Sequence, residues 1–224
     1  MARFSASPSF DECVMCLPRE RFRALWKRCG APIDRRQVFE DLRCRYCEPH
    51  RIYHRCTHLV HCFQQLDLAY ALVQDPDAVE MALWFHDAIY TPGSSENEKE
   101  SAELFVRAAE DHFRPSFIRK VYDLIIATTH KELAQESNEQ FVTDIDLSTL
   151  GADWEEFLRD TKALREEHAN SSDTVYYIAH LKFLTSMLQR PRIFGTEFFY
   201  ERYEQRAREN ITRLLADLAC KGYT

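Results

Sequence analysis

Glycine is scarce in this chain, with 5 residues in 224, and proline contributes only 8. That leaves too few turn formers for the repeated tight turns of an all-β fold. No stretch alternates apolar and polar residues for long enough to make a half-buried strand. No run reaches the ~18 to 20 apolar residues of a membrane span. The opening residues, MARFSASPSFDECVMC, hold no h-region of a secretory signal. The chain is therefore expected in the cytoplasm, where its 8 cysteines stay reduced. Positive charge is also short: the net charge is -7 and the pI about 5.7, which argues against nucleic acid as a partner.

What is present describes a packed globular protein, 45% hydrophobic and 12% aromatic. After a loose lead-in over residues 1 to 17, Phe22, Leu25, Trp26 and Cys29 recur at i, i+3, i+4 and i+7, and Gly30 follows as a C-cap. Phe39, Leu42 and Tyr46 share a second stripe, and Pro49 interrupts it. A longer helix is expected from about Ile52 to Val73, then an apolar one over Ala78 to Tyr90. Ser95 and Glu98 fit a capping box for the next helix, and Asp153 and Glu156 fit another. Residues 131 to 140 read as an exposed loop. The last helix, after Thr196, places Tyr203, Ala207, Leu214 and Leu218 on one stripe, a face that also suits a second subunit. The pattern predicts one all-α domain over 18 to 222, of nine or ten helices.

The net charge hides an asymmetry. Between Arg19 and Arg55 there are 11 Lys/Arg against 5 Asp/Glu, a local excess of +6, so the remainder carries about -13. The excess marks either solvated helix faces or a surface where Arg43, Arg45, Arg51 and Arg55 meet an anionic substrate.

Ala78 to Tyr90, AVEMALWFHDAIY, leaves only Glu80 for a polar face before it presents His86 and Asp87 side by side. A buried helix that ends in an imidazole and a carboxylate needs partners for both. A bound cation would satisfy them together; so would a carbonyl for the histidine and a capping role for the aspartate. Upstream, four of the 9 histidines lie between His50 and His61. His54, His58 and His61 fall on one side of the expected helix. A zincin site is excluded, because Arg55 stands where that motif requires Glu. Two CxxC pairs, Cys13/Cys16 and Cys44/Cys47, could hold zinc, but 27 residues separate them, against the usual ~15 to 20. Cys29, Cys56, Cys62 and Cys220 look like apolar filler.

The order His58, His86-Asp87, then Asp144 or Asp146 resembles the HD superfamily of metal-dependent phosphohydrolases. The similar passages are EPHRIYHRCTH (48 to 58), ALWFHDAIY (82 to 90), NEKESAELF (97 to 105), DIDLSTLGAD (144 to 153) and RPRIFGTEFF (190 to 199). They resemble one bacterial branch of unassigned substrate. The resemblance implies a helical bundle in which His58, His86, Asp87 and Asp146 bind one divalent cation, with Asp144 as the alternative last ligand. Two-metal relatives carry His-Glu where this chain has Asn97-Glu98, so a single ion is expected. Two imidazoles and two carboxylates suit Mn, Fe, Ni, Zn or Mg. The implied activity is hydrolysis of a phosphomonoester or nucleotide phosphate bond by a metal-activated water. The alternative is a non-catalytic module that keeps the metal site to hold a nucleotide or a partner. Asp87, Glu98 and His54 are the candidate catalytic residues. Asp87 would orient the water and Glu98 would take its proton, unless Glu98 only caps its helix. His54 would share the non-transferred oxygens with Arg51 and Arg55. His130 joins the substrate site as a further base, or else is a satisfied core histidine.

Overall fold

The computed structural model describes residues 17–31 and 35–223. Among them are ten α-helices, two short 3₁₀ turns and no strand. The helices are α1 (Arg19–Arg28), α2 (Arg36–Tyr46), α3 (Cys56–Ala69), α4 (Pro76–Phe85), α5 (Asn97–Ala109), α6 (Pro115–Ala127), α7 (Ser137–Leu147), α8 (Trp154–Glu167), α9 (Asp173–Gln189) and α10 (Glu197–Cys220). The 3₁₀ turns are Tyr70–Leu72 and Ser148–Gly151. No described helix is long and apolar enough to cross a membrane. Cys13 and Cys16 lie outside the described residues; Cys44 is exposed and Cys47 half-buried.

The helix at the centre of the bundle is α4. Pro76 occupies its first turn, where a missing N–H costs nothing, and the Asp75 carboxylate accepts from Ala78 N at 3.2 Å. Every residue from Ala78 to Phe85 is buried. Trp84 meets Phe22 of α1 edge-on at 5.0 Å between ring centroids and Phe63 of α3 at 4.6 Å. Each such aromatic removes enough apolar surface from water to contribute roughly 1.5–3 kcal/mol.

Glu80, on this helix, is also buried, and it recruits the basic residues of α1. Arg21 Nε lies 2.9 Å from Glu80 Oε1 and Arg28 Nη2 lies 3.0 Å from Oε2, while the same guanidiniums reach Asp67 and Asp77. Arg43 pairs with Glu40 and Arg45 with Asp41 along α2. Much of the local positive excess is thus tied up in ion pairs inside the fold. Neither Arg43 nor Arg45 lines the cavity that Asp87 and Asp146 share.

Several boundaries differ from the sequence pattern. The helix expected from Ile52 starts at Cys56, so His54 lies in the turn before it and does not share its face with His58. Within the segment read as a loop over 131 to 140, α7 begins at Ser137. Its entry is held by a reciprocal capping box between Glu136 and Glu139. Neither Ser95 nor Asp153 caps a helix through its side chain: the N-cap of α5 is Glu96, and Asp153 makes no cap hydrogen bond. The stripe on α10 is used within the chain. Ala207, Leu214 and Leu218 are buried, and Tyr203 donates to Gln65 Oε1 at 2.8 Å. That face is not offered to a second subunit.

Candidate metal centre and its cavity

Three helices converge on one point. α3 carries His58 just inside its first turn, α4 ends on His86 with Asp87 the next residue, and α7 brings Asp146 from its last turn. His58 Nε2 lies 3.4 Å from His86 Nε2 and 3.2 Å from Asp146 Oδ1. His86 Nε2 lies 3.1 Å from Asp87 Oδ2 and 3.5 Å from Asp146 Oδ1. Asp87 Oδ2 is 3.7 Å from His58 Nε2. With metal–ligand bonds of about 2.0–2.2 Å, neighbouring ligand atoms around one ion sit roughly 3.0–3.5 Å apart. The donor atoms are spaced as a single small cation requires.

The tautomer of His86 sharpens the point. Its Nδ1 lies 2.9 Å from Leu83 O, and a carbonyl only accepts, so Nδ1 carries the hydrogen. In the neutral ring Nε2 then presents a lone pair to a second imidazole and two carboxylates. A proton on Nε2 or a cation held between the four groups would relieve that crowding. Burial alone would raise the pKa of Asp87 and Asp146 and lower that of His86. The mutual pairings win: both carboxyls are held well below the usual range and His86 well above. His58 Nδ1 is buried with no partner among the described residues, so none of them fixes its tautomer from outside the cluster.

Cys62 lies four residues, one helical turn, after His58, and its Sγ is 3.6 Å from His58 Nε2. His58, Cys62, His86 and Asp146 each offer a ligand atom, all within 4.8 Å of one another, so this group could hold a metal ion. Burial pushes the Cys62 thiol well above its ordinary pKa in the absence of an ion, and Asp87 lies beside it as a carboxylate donor.

Asp144, two residues before Asp146 on α7, points elsewhere. Its carboxylate accepts from Gly195 N, Thr196 N and Thr196 Oγ1 at 2.7–2.8 Å and anchors the start of α10. Burial nevertheless raises its pKa to about 6 against those three bonds. His130, just beyond α6, reaches back with Nε2 to Asp146 Oδ2 at 2.8 Å. Its backbone sits at φ 53, a left-handed conformation that only a small share of non-glycine residues adopt. The bend turns the imidazole toward Asp146.

A cavity of about 350 Å³ opens over the cluster, within the range of small-molecule sites. Asp87 and Asp146 line it together with His54, Glu98 and His130, and α8 and α9 form the opposite wall. No family model, curated protein or solved structure matches this chain.

Of the remaining candidates, His54 and Glu98 reach the cavity and the two arginines do not. The Arg51 side chain is fully buried. Its Nη1 donates to Asp87 O at 2.6 Å and His54 O at 3.0 Å, and its Nη2 to Ala88 O at 3.1 Å. It braces the chain beside the candidate ligands His58 and Asp87, and these donors are committed to backbone carbonyls. Arg55 occupies the N-cap of α3 without a side-chain cap bond, and its Nε is buried with no partner among the described residues. Asn97 binds the backbone of Thr91 at both ends of its amide, which fixes the loop after Asp87.

Glu167, at the end of α8, was not legible from sequence. Its Oε1 accepts from the backbone N–H of Ile52, Tyr53 and His54 at 2.7–2.8 Å, and Oε2 lies 2.7 Å from His54 Nδ1. Burial lowers the pKa of His54, but Asp87 and Glu167 overcome it and raise the pKa above the ordinary value. The Glu167 carboxylate thus favours the charged form of a ring that lines the cavity, and among the described residues its Nε2 has no protein partner.

Proposed function

We propose that this protein is an HD-type metal-dependent phosphohydrolase that cleaves a phosphomonoester or nucleotide phosphate bond. The observation that carries the reading is the convergence of His58, His86, Asp87 and Asp146 on one point at the floor of a cavity. Those four side chains would hold one divalent ion. Bound there, the ion would lower the pKa of a water molecule and neutralise charge growing on phosphoryl oxygens.

The chain's own groups divide the remaining work. His130 orients Asp146, and Arg51 holds the backbone carbonyl of Asp87 in place. Glu98 stands half-buried in the cavity, with its pKa raised by burial, so it is suited to take a proton from water and pass it to a leaving group. His54, fixed by Glu167, keeps the role that the sequence reading shared among it, Arg51 and Arg55: it donates to a non-transferred phosphoryl oxygen.

The test is hydrolysis of phenyl phosphate by the protein loaded in turn with Mn, Fe, Ni, Zn and Mg, with His86→Ala and Asp87→Asn as controls. Turnover that chelation removes and that both substitutions reduce by about 10³-fold or more supports the reading. Equal turnover in parent and variants sinks it. Metal and nucleotide binding without turnover of any ester would favour the non-catalytic module.

A further inference from the structure

The wall facing the metal ligands has an unusual composition. α8 lays Phe157, Asp160, Thr161 and Leu164 along one face at i, i+3, i+4 and i+7, and α9 adds His180, Phe183 and Leu184. Among the described residues that line the cavity there is no Lys and no Arg, whereas Asp87, Glu98, Asp146 and Asp160 are carboxylates. Asp87 and Asp146 belong to the cluster, and Glu98 borders it. Asp160 stands among apolar side chains and has no hydrogen-bond or ion-pair partner among the described residues.

A surface carboxylate on a helix needs no explanation, but Asp160 is only partly accessible and faces the cavity. Burial, with Glu156 adding to it, pushes its pKa up to about 6, so at neutral pH it is an ionised acceptor with poor solvation. Such a group is satisfied by a donor that enters with the ligand. It also repels phosphate, which places the phosphoryl group at the metal end and the alcohol portion against α8 and α9.

We infer that Asp160 reads the alcohol half of the substrate by accepting a hydrogen bond from its hydroxyl or amino group, and that the cavity selects compact, singly phosphorylated alcohols over di- and triphosphates. This deepens the phosphohydrolase reading and rests on it. The charge selection follows from the lining. One cation held by Asp87 and Asp146 balances a single phosphoryl group, while a further phosphate meets Glu98 and Asp160 and no guanidinium or ammonium among the described lining residues. Phe157, Leu164, Phe183 and Leu184 offer apolar surface to a base or ring, and Asp160 and Thr161 supply the polar points that orient it.

The experiment compares kcat/KM of the metal-loaded parent, Asp160→Ala and Asp160→Asn on four esters. These are phenyl phosphate, whose leaving group carries no further donor, a hexose phosphate, and two nucleoside monophosphates that differ only in an exocyclic amino group. Losing a hydrogen bond to a charged acceptor should lower the ratio of donor-bearing to phenyl substrate by about tenfold in Asp160→Ala. A fall on the sugar phosphate and on both nucleotides identifies a hydroxyl; a fall confined to the amino-bearing nucleotide identifies the amine. Calorimetric binding of the dephosphorylated products should show the same loss without turnover. If phenyl phosphate is cleaved but neither ratio nor product affinity moves, the role of Asp160 is wrong and the phosphohydrolase reading stands. A nucleoside triphosphate cleaved as well as the monophosphate overturns the charge selection. If no ester is cleaved under any metal, both readings fall together.

Discussion

The Nε2 atoms of His58 and His86 face each other at 3.4 Å, although His86 has already committed its one neutral-state hydrogen to the Leu83 carbonyl. In the neutral tautomers that present both lone pairs, the two nitrogens repel unless a cation lies between them, which is the state a metal ion would select. A divalent ion should therefore stabilise the fold strongly. At a free concentration of 100 times its dissociation constant, it should add about 2.7 kcal/mol. Thermal melts with and without chelator read this directly. The metal-dependent rise should vanish in His86→Ala, and elemental analysis of that variant should find no bound ion.

Glu167→Ala should destabilise the protein by about 3–5 kcal/mol, because it strips a buried acceptor from three backbone N–H groups and the His54 ring. The pH dependence has two limits. Burial would raise the Glu167 pKa, but His54 and the backbone donors hold it below 4.5, so its stabilisation is present above that pH and lost as pH falls through the folded value. His54 has a folded pKa above 6.5, so its share is complete below pH 6.5 and lost as pH rises through that folded value. Urea titrations across pH should show the gap between parent and Glu167→Ala widest between these limits.

Arg51→Lys keeps the charge but cannot reproduce a planar fork that reaches the carbonyls of His54, Asp87 and Ala88 together. A loss of about 2–4 kcal/mol is expected, together with weaker metal binding, because the backbone at Asp87 is released. Denaturant unfolding measures the first effect and competition with a chromogenic chelator the second. A variant with parental metal affinity would show that the brace acts on stability alone.

Gly151→Ala tests how closely the Ser148–Gly151 turn packs on α10. An added Cβ would lie 2.5 Å from Tyr203 Cβ and 3.0 Å from Tyr203 Cα, and backbone cannot swing aside as a side-chain tip can. The expected cost is about 1–3 kcal/mol by denaturant unfolding. An unchanged midpoint would mean that the turn relaxes without penalty.

What could be read beforehand and what could not follows from range. Apolar residues at helical spacing revealed α1, α2, α4 and α10, because one buried stripe is a local property of sequence. The start of α7 escaped, since Ser137, Asn138 and Glu139 are polar and only the reciprocal bond between Glu136 and Glu139 shows that they begin a helix. His58, His86 and Asp87 stood out through residue type and position at helix ends. The pairing of His54 with Glu167 spans 113 residues, and no spacing rule reaches so far. Arg51 misled for a related reason: an arginine in a basic stretch looks solvated until the carbonyls that bury it are known. Cys62 carried a usable signal, four residues after His58 on the same helix face, but its apolar neighbours made it resemble core.

The twist of the main chain at His130 has a consequence for how this site can change. Glycine would adopt φ 53 without strain, whereas an imidazole-bearing residue there costs on the order of 1 kcal/mol or more. Selection for a sturdier chain and selection for a well-aimed Asp146 therefore pull in opposite directions at this position. A population of variants screened only for heat resistance should drift toward glycine at 130, and one screened for turnover should keep the histidine.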